Sequence, residues 1–344
     1  MRVVRLLTVA AAVFAAAAAT VVPLPAMAAA AQDPGAGDTT SQLTGDLAAH
    51  DPSLVAGGPG ENWYVFSTGD PAVRGGTLQI RTSANGRDWV FAGTIWDAIP
   101  AWLTEAVPGV NNLWAPEVYR KRGIYYLYYV ASTFGSNRSV IALATNTTLD
   151  PANPNYRWVD RGPVVRSVPE DDFNAIDPGI VEDDWGTPWM AFGSYWSGIR
   201  MVPLQWPSGL PVPATGEPLR LADRQEPPNA IEAPYVVRHG GWYYLFVSFD
   251  TCCRGVESNY RVVVGRSRQV TGPYVDRDGR RLLEGGGTPV VSTVGDRVGP
   301  GGQSASGGIL AFHYYDAADG GRPRLALQGI YWTADGWPTL SATD

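Results

Sequence analysis

Three features of the chain predict an all-β fold, a five-bladed β-propeller. One phrase recurs along the sequence, strand-like runs fill the spaces between its copies, and strong helical periodicity is missing after the first thirty or so residues. The copies are "HDPSLVAGGPGENWYVFSTG" from His50, "WAPEVYRKRGIYYLYYVAS" from Trp114, "IDPGIVEDDWGTPWMAFGS" from Ile176, "IEAPYVVRHGGWYYLFVSF" from Ile231, and a degraded "GGQSASGGILAFHYYD" from Gly301. Measured on Pro52, Pro116, Pro178 and Pro234, the intervals are 64, 62 and 56 residues.

Each copy reads as a hairpin. A short β-branched strand follows the proline, the turns are "GGPGEN", "KRG", "DDWG" and "RHGG", and the second strand is aromatic. The runs "GTLQIRTS", "SVIALATN", "RVVVGRS" and "RLALQGIYW" supply further strands, giving roughly four per unit. Four strands repeated five times make propeller blades around a central channel. A β-sandwich also has many short strands, but it has no cause to repeat a phrase. Propeller repeats usually span about 40–45 residues, so the longer period here implies long loops between strands.

Ahead of the repeats, residues 1–28 read as a secretory signal peptide. Arg2 and Arg5 precede a long apolar run, which Pro23 and Pro25 break before the small residues around Ala28. An uncleaved membrane anchor is the rival reading of that run. Residues 29–43 form a polar, flexible lead-in, and 44–344 a single large propeller domain. Secretion to the extracellular space follows, with no membrane association of the mature form. The formal charge of −7 argues against nucleic acid or anionic membrane as partner. The only cysteines, Cys252 and Cys253, are adjacent, which excludes a disulfide framework. They could form a vicinal ring or be two small buried hydrophobes. Nothing in the sequence signals an oligomer or an organic cofactor, and a monomer is the expectation.

The repeat raises a question about acids. Asp51 and Asp177 stand directly before the recurring proline, and Glu232 stands two positions before it, each leading into a buried strand. Carboxylates are seldom buried without a partner. If these residues start the innermost strand of their blades, they converge at one end of the channel. Such convergence is electrostatically unfavourable and is kept where it does chemistry. Glycosidic hydrolysis requires one carboxylic acid for the leaving oxygen and one carboxylate to activate water. A third can tune the proton donor. Trp63, Trp114, Phe134 and Trp196 lie in or beside the repeats, where rings can stack on sugar faces or pack between blades. Tyr125, Tyr126, Tyr243 and Tyr244 are expected in the core.

At "HDPS", "LWAPE", "NAIDPGI", "FGSYWSGI", "IEAPYV" and "SFDTCCRG…SNYRVVVGRS…GPY" the chain resembles the arabinanases of glycoside hydrolase family 43, in order and from about Thr44 to Pro338. The resemblance implies a five-bladed propeller that hydrolyses α-1,5-linked L-arabinofuranose chains with inversion. Its substrate would be plant cell-wall arabinan or arabino-oligosaccharides. By the same resemblance Asp51 is the general base, Asp177 the pKa modulator and Glu232 the general acid. Substrate contacts are implied at Trp114, Phe134, Gly135, Asn174, Ala175, Ile176, Ser194, Tyr195 and Trp196.

Two departures stand out. Relatives often carry "WAPD" where Glu117 stands here. Many have "GPGH", whose histidine holds a calcium-like cation in the channel, where this chain has "GPGG" over Gly299–Gly302. Of the three histidines, His239 sits in a polar turn and His50 beside the base. His313 is then the one candidate to meet a Ca2+ ion, against a hydrogen-bonded strand histidine. The rival functions are an exo-acting α-L-arabinofuranosidase or β-xylosidase of the same family, and a non-catalytic carbohydrate-binding propeller.

Overall fold

The computed structural model describes residues 43–213 and 216–340; the expected signal peptide and nearly all of the lead-in lie outside them. Five sheets follow one another along the chain, antiparallel except where the short edge strand Thr44–Gly45 pairs parallel with Asp88–Thr94 in the first. Their innermost strands are Ser53–Val55, Leu113–Lys121, Gly179–Glu182, Ile231–His239 and Arg297–Ser306, and each packs beside the next until the last meets the first. This is the five-bladed propeller that the repeat predicts, one copy of the phrase per blade. No helix among the described residues is long and apolar enough to cross a membrane. Among the described residues the one α-helix, Ala101–Ala106, lies in the connection from blade 1 to blade 2.

The second strand of each blade is largely apolar because both its faces are covered, with Ser248 of blade 4 and His313 of blade 5 among the buried polar exceptions. In blade 2, Tyr126, Tyr128 and Val130 point toward blade 3, where they meet Met190 and Phe192. Leu127, Tyr129 and Ala131 point the other way, onto Phe66 and Ile80 of blade 1. Successive side chains in a strand alternate faces, so a strand sandwiched between blades loses the apolar–polar alternation. Blade 4 repeats the device, with Leu245 and Val247 toward blade 3 and Tyr244 and Phe246 toward blade 5. The five apolar clusters of the described residues thus lie between consecutive blades, the last joining Leu325 and Leu327 to Val65 and Trp89. Trp63 packs there, away from the channel mouth. Tyr126, Tyr243 and Tyr244 are core as expected, and Tyr125 is half-buried. The outermost strands escaped sequence reading because they are short and partly exposed, as in Leu219–Ala222 and Pro338–Leu340.

Polar side chains fasten the ring where the last blade meets the first. Ser304 Oγ donates to the Pro52 carbonyl at 2.7 Å and accepts from the Leu54 N–H at 3.0 Å, while Ser306 Oγ accepts from the Ala56 N–H at 3.1 Å.

The recurring proline has a structural counterpart. The residue before it is left-handed in all four clear copies: Asp51 (φ 49°), Ala115 (φ 36°), Asp177 (φ 56°) and Ala233 (φ 50°), with Gly302 (φ 61°) in the corresponding place of blade 5. Three of these points coincide with breaks in strand register, between Trp114 and Glu117, Glu232 and Tyr235, and Gly301 and Ser304. Proline cannot donate to the ladder, and a bulge turns neighbouring side chains out of the sheet plane. Non-glycine residues hold such backbone only where the surroundings over-determine it, and such positions cluster at functional sites.

Candidate active site

The bulged starts of the inner strands surround the channel mouth. Below them is a cavity of about 20 Å³ lined by Asp51, Glu117, Asp177, Tyr235, Gly302 and Gln303. Above them opens a groove of about 700 Å³, into which Asp51, Asp177 and Glu232 all project. The acids converge, but their register is not identical. Asp51 and Asp177 precede the proline directly, whereas Glu232 corresponds to His50, Trp114 and Ile176, and all four of these line the groove.

Asp51 is held from three directions. Its Oδ2 accepts from Thr68 Oγ1 at 2.7 Å and pairs with His50 Nδ1 at 2.7 Å; its backbone N–H donates to His313 Nδ1 at 3.1 Å. The His313 ring also stacks under that of His50, centroids 3.7 Å apart. Burial by itself would raise the Asp51 carboxyl, but the charge and hydrogen bond of His50 outweigh it and bring the pKa down to about 2. His50 responds in kind: burial works against its cationic form, yet Asp51 raises its pKa above the ordinary value.

Glu232 and Asp177 lean the opposite way. Burial raises both; repulsion from Glu232 and Asp51 helps to push Asp177 well above the ordinary carboxylate range, and repulsion from Asp51 adds to the rise of Glu232. Glu232 Oε2 accepts from Ser194 Oγ at 2.7 Å and Oε1 from Tyr260 Oη at 2.8 Å, contacts that offset part of its rise. Two acids this strongly coupled titrate as a unit. The site therefore pairs one carboxylate kept anionic with a two-acid group that retains a proton, the division of labour that acid–base hydrolysis requires.

The groove walls carry most of the expected contacts. Trp114, half-buried, donates from Nε1 to Asn112 Oδ1 at 2.9 Å, and its ring centroid lies 5.1 Å from that of Phe134. Phe134 is 81% exposed and Trp196 39%, so rings stand open at the groove with no partner from the core. Gly135, Asn174, Ile176, Ser194 and Tyr195 also line the groove. Ala175 does not: its side chain is wholly buried in the cluster between blades 2 and 3, because its neighbours Asn174 and Ile176 take the groove-facing positions. Sequence reading missed Thr68, Tyr260 and Tyr315, and left the cysteine pair open between a vicinal ring and two buried thiols. Cys252 and Cys253 form a vicinal disulfide on the groove wall. Glu117 lies off the groove, buried in the channel, with Ser53 Oγ donating to it at 3.2 Å. His239 is not merely solvated; it stacks on Trp332, centroids 3.9 Å apart, away from the site.

A cation site can be tested on the donor set. His50, Asp51 and His313 bring ligand atoms within 4.8 Å of one another. Ca2+ takes about six to eight oxygen ligands, whereas this set offers two imidazoles and one carboxylate. Both His50 nitrogens, His313 Nδ1 and Asp51 Oδ2 are already hydrogen-bonded, which leaves Asp51 Oδ1 and the buried His313 Nε2. A Cβ at Gly302 would lie 2.5 Å from Asp51 Oδ1 and 2.8 Å from the His313 ring, so a histidine at this position would not fit without displacing both. The residues present do not fit Ca2+; His313 braces Asp51 through Nδ1, and its buried, unpartnered Nε2 is the atom that the expected ligand role would use.

Comparison with known proteins agrees with this geometry. The profile of "Glycosyl hydrolases family 43" matches residues 43–338. The chain is 41% identical to an extracellular endo-α-(1→5)-L-arabinanase of Bacillus subtilis, over 84% of this chain and 87% of that protein. It is 39% identical to an extracellular exo-α-(1→5)-L-arabinofuranosidase of Cellvibrio japonicus, over 85% of this chain and 86% of that protein. Among solved structures, an endo-arabinanase from Bacillus licheniformis superposes with a TM-score of 0.80 at 41% identity, covering 87% of this chain and 99% of that one.

Proposed function

The chain belongs to glycosyl hydrolase family 43, and from that premise we propose that it is a secreted glycosidase that cleaves α-1,5-L-arabinofuranosidic bonds in arabinan with inversion. The observation that carries the mechanism is the opposed protonation of acids around one groove: Asp51 anionic beside His50, and a proton held within the Asp177–Glu232 pair. Asp51 takes a proton from water as the water oxygen bonds to the anomeric carbon. Glu232 gives its proton to the leaving oxygen as the glycosidic bond breaks. Asp177 repels negative charge on Glu232 and so favours its protonated form. Extracellular location is supported by the leader-like residues 1–28 and by the two relatives, both named as extracellular enzymes.

Internal cleavage is favoured by the groove's size, about 700 Å³ with open aromatic rings, which suits a chain segment better than a single terminal sugar. Exo action is the second reading, favoured by the 39% identity to the Cellvibrio enzyme. Debranched arabinan followed by NMR tests both. A ladder of oligosaccharides released as the inverted anomer supports the proposal; a single small product supports exo action; retained configuration overturns the mechanism. Sugar binding without any hydrolysis would make the protein a carbohydrate-binding propeller.

A further inference from the structure

The groove wall contributed by residues 251–255 carries an element that the reaction described above does not use. The Cys252–Cys253 disulfide closes a ring within one peptide unit, and Cys253 sits in the left-handed region at φ 67°. L-residues hold that conformation only under constraint, and here the constraint is covalent. The N–H that this conformation presents donates to Tyr315 Oη at 2.8 Å. Tyr315 Oη contacts His50 Nε2 at 2.8 Å, and His50 Nδ1 pairs with Asp51 Oδ2 at 2.7 Å. With His50 neutral and its proton on Nδ1, every link runs donor to acceptor without a break, from the Cys253 amide to the Asp51 carboxylate. Cys253 Sγ itself lies 3.8 Å from His50 Nε2. The loop's own ends are tied separately, Thr251 to Asn259 at 2.9 Å and Arg254 to Ser258 at 3.0 Å. The ring therefore fixes one peptide's direction while the loop as a whole is held by other bonds. Cys253 is exposed, within reach of a reductant from solvent.

We propose that the Cys252–Cys253 disulfide is a positioning element for the reaction, which orients Asp51 through Tyr315 and His50, so that the enzyme is fully active only when the pair is oxidised. This rests on the hydrolase reading above. A dithiol such as dithiothreitol would pass two electrons and two protons to the cysteine sulfurs, break their S–S bond and become a cyclic disulfide itself. The peptide is then free to leave its left-handed state, and Tyr315 loses its donor.

The test uses the full chain, oxidised and after dithiothreitol, with thiols counted colorimetrically and rates measured on a linear α-1,5-arabino-oligosaccharide. Reduction to two thiols is expected to lower kcat about tenfold, the scale of a small misalignment of a reacting group, with KM changed less than twofold and with recovery on reoxidation. In Tyr315→Phe, reduction should change kcat less than twofold, since the link is already cut. The 15N resonance of His50 Nε2 should move on reduction of the parent, a signal that needs no substrate. Two titrated thiols with unchanged kcat overturn the proposal, as does an equal tenfold loss in Tyr315→Phe or an unmoved His50 resonance. A parent that hydrolyses nothing would instead overturn the hydrolase reading, and the His50 resonance would still decide whether the disulfide positions that imidazole.

Discussion

The backbone N–H of Ala233 donates to Asp177 Oδ2 at 3.1 Å, so the peptide that follows Glu232 is tied to the acid of the preceding blade. Two carboxyl groups are thereby held at the same channel mouth by residues 56 apart in sequence. Their proximity is built into the backbone, and the electrostatic cost of it falls on their protonation.

Asp177→Asn keeps the shape and removes the charge. On the proposed modulator role, Glu232 loses a repulsive neighbour and its pKa falls. A general acid works only while protonated, and the alkaline limb of kcat/KM should move to lower pH. Turnover at neutral pH is expected to drop about a hundredfold, within the range of general acid–base catalysis. Glu232→Gln serves as reference: hydrolysis lost, oligosaccharide binding retained by calorimetry. An alkaline limb that stays in place in Asp177→Asn removes the modulator role.

His50 acts on the opposite limb. The Asp51 pKa of about 2 depends on the His50 charge and hydrogen bond overcoming burial. In His50→Ala burial dominates and the carboxyl titrates higher. Asp51 must be deprotonated to act as base, so activity should be lost on acidification at a higher pH than in the parent. The acidic limb of kcat/KM measured in both proteins checks this, and coincident limbs would refute it.

The open rings should matter for binding more than for chemistry. Phe134 is 81% exposed, so Phe134→Ala has little core to disturb. Stacking on a ring distant from the reacting bond is uniform binding, which sets KM and leaves kcat nearly alone. KM for arabinan is expected to rise several-fold in Phe134→Ala and in Trp196→Ala, with kcat within about twofold. An equal loss in kcat would place these rings in the transition-state machinery.

Chelation tests the misfit of calcium. Because Gly302 leaves no space for a ligand side chain between Asp51 and His313, dialysis against EDTA should leave kcat and Tm unchanged. A loss restored by Ca2+ alone would show that the site rearranges to hold the ion.

The fold was legible because the repeat writes itself in proline, which marks the start of an inner strand in four blades and a break in register in two of them. Asp51 and Asp177 could be read for the same reason. The offset of Glu232 could not be judged, because a shift of one residue at a bulge redirects a side chain, and only the backbone path shows whether it still reaches the groove. Tyr315 and Cys253 were invisible as partners of His50, since they come from blades 5 and 4 and meet it through loop geometry. Ala175 misled because burial and groove lining were not separable in "NAI": Ile176 belongs to the core cluster and still reaches the groove, whereas the short Ala175 side chain belongs to the core alone.

Glu117 supplies a prediction about stability. Burial in the channel raises its pKa to about 8 from the ordinary 4.5, despite the Ser53 hydroxyl. The folded state thus holds this proton more tightly than the unfolded chain. Its stabilising contribution is complete below about 4.5 and disappears as pH rises through about 8. Above that, folding must carry a buried charge, at a cost on the order of a few kcal/mol. Glu117→Gln keeps a neutral group of similar size and has no proton to lose. Thermal unfolding from pH 6 to 9 should show the parent losing Tm steadily while the variant's curve is flatter, so that their difference grows toward pH 9. Parallel curves would mean that Glu117 is solvated or paired in the folded protein, and that the channel below the active site is wetter than its lining suggests.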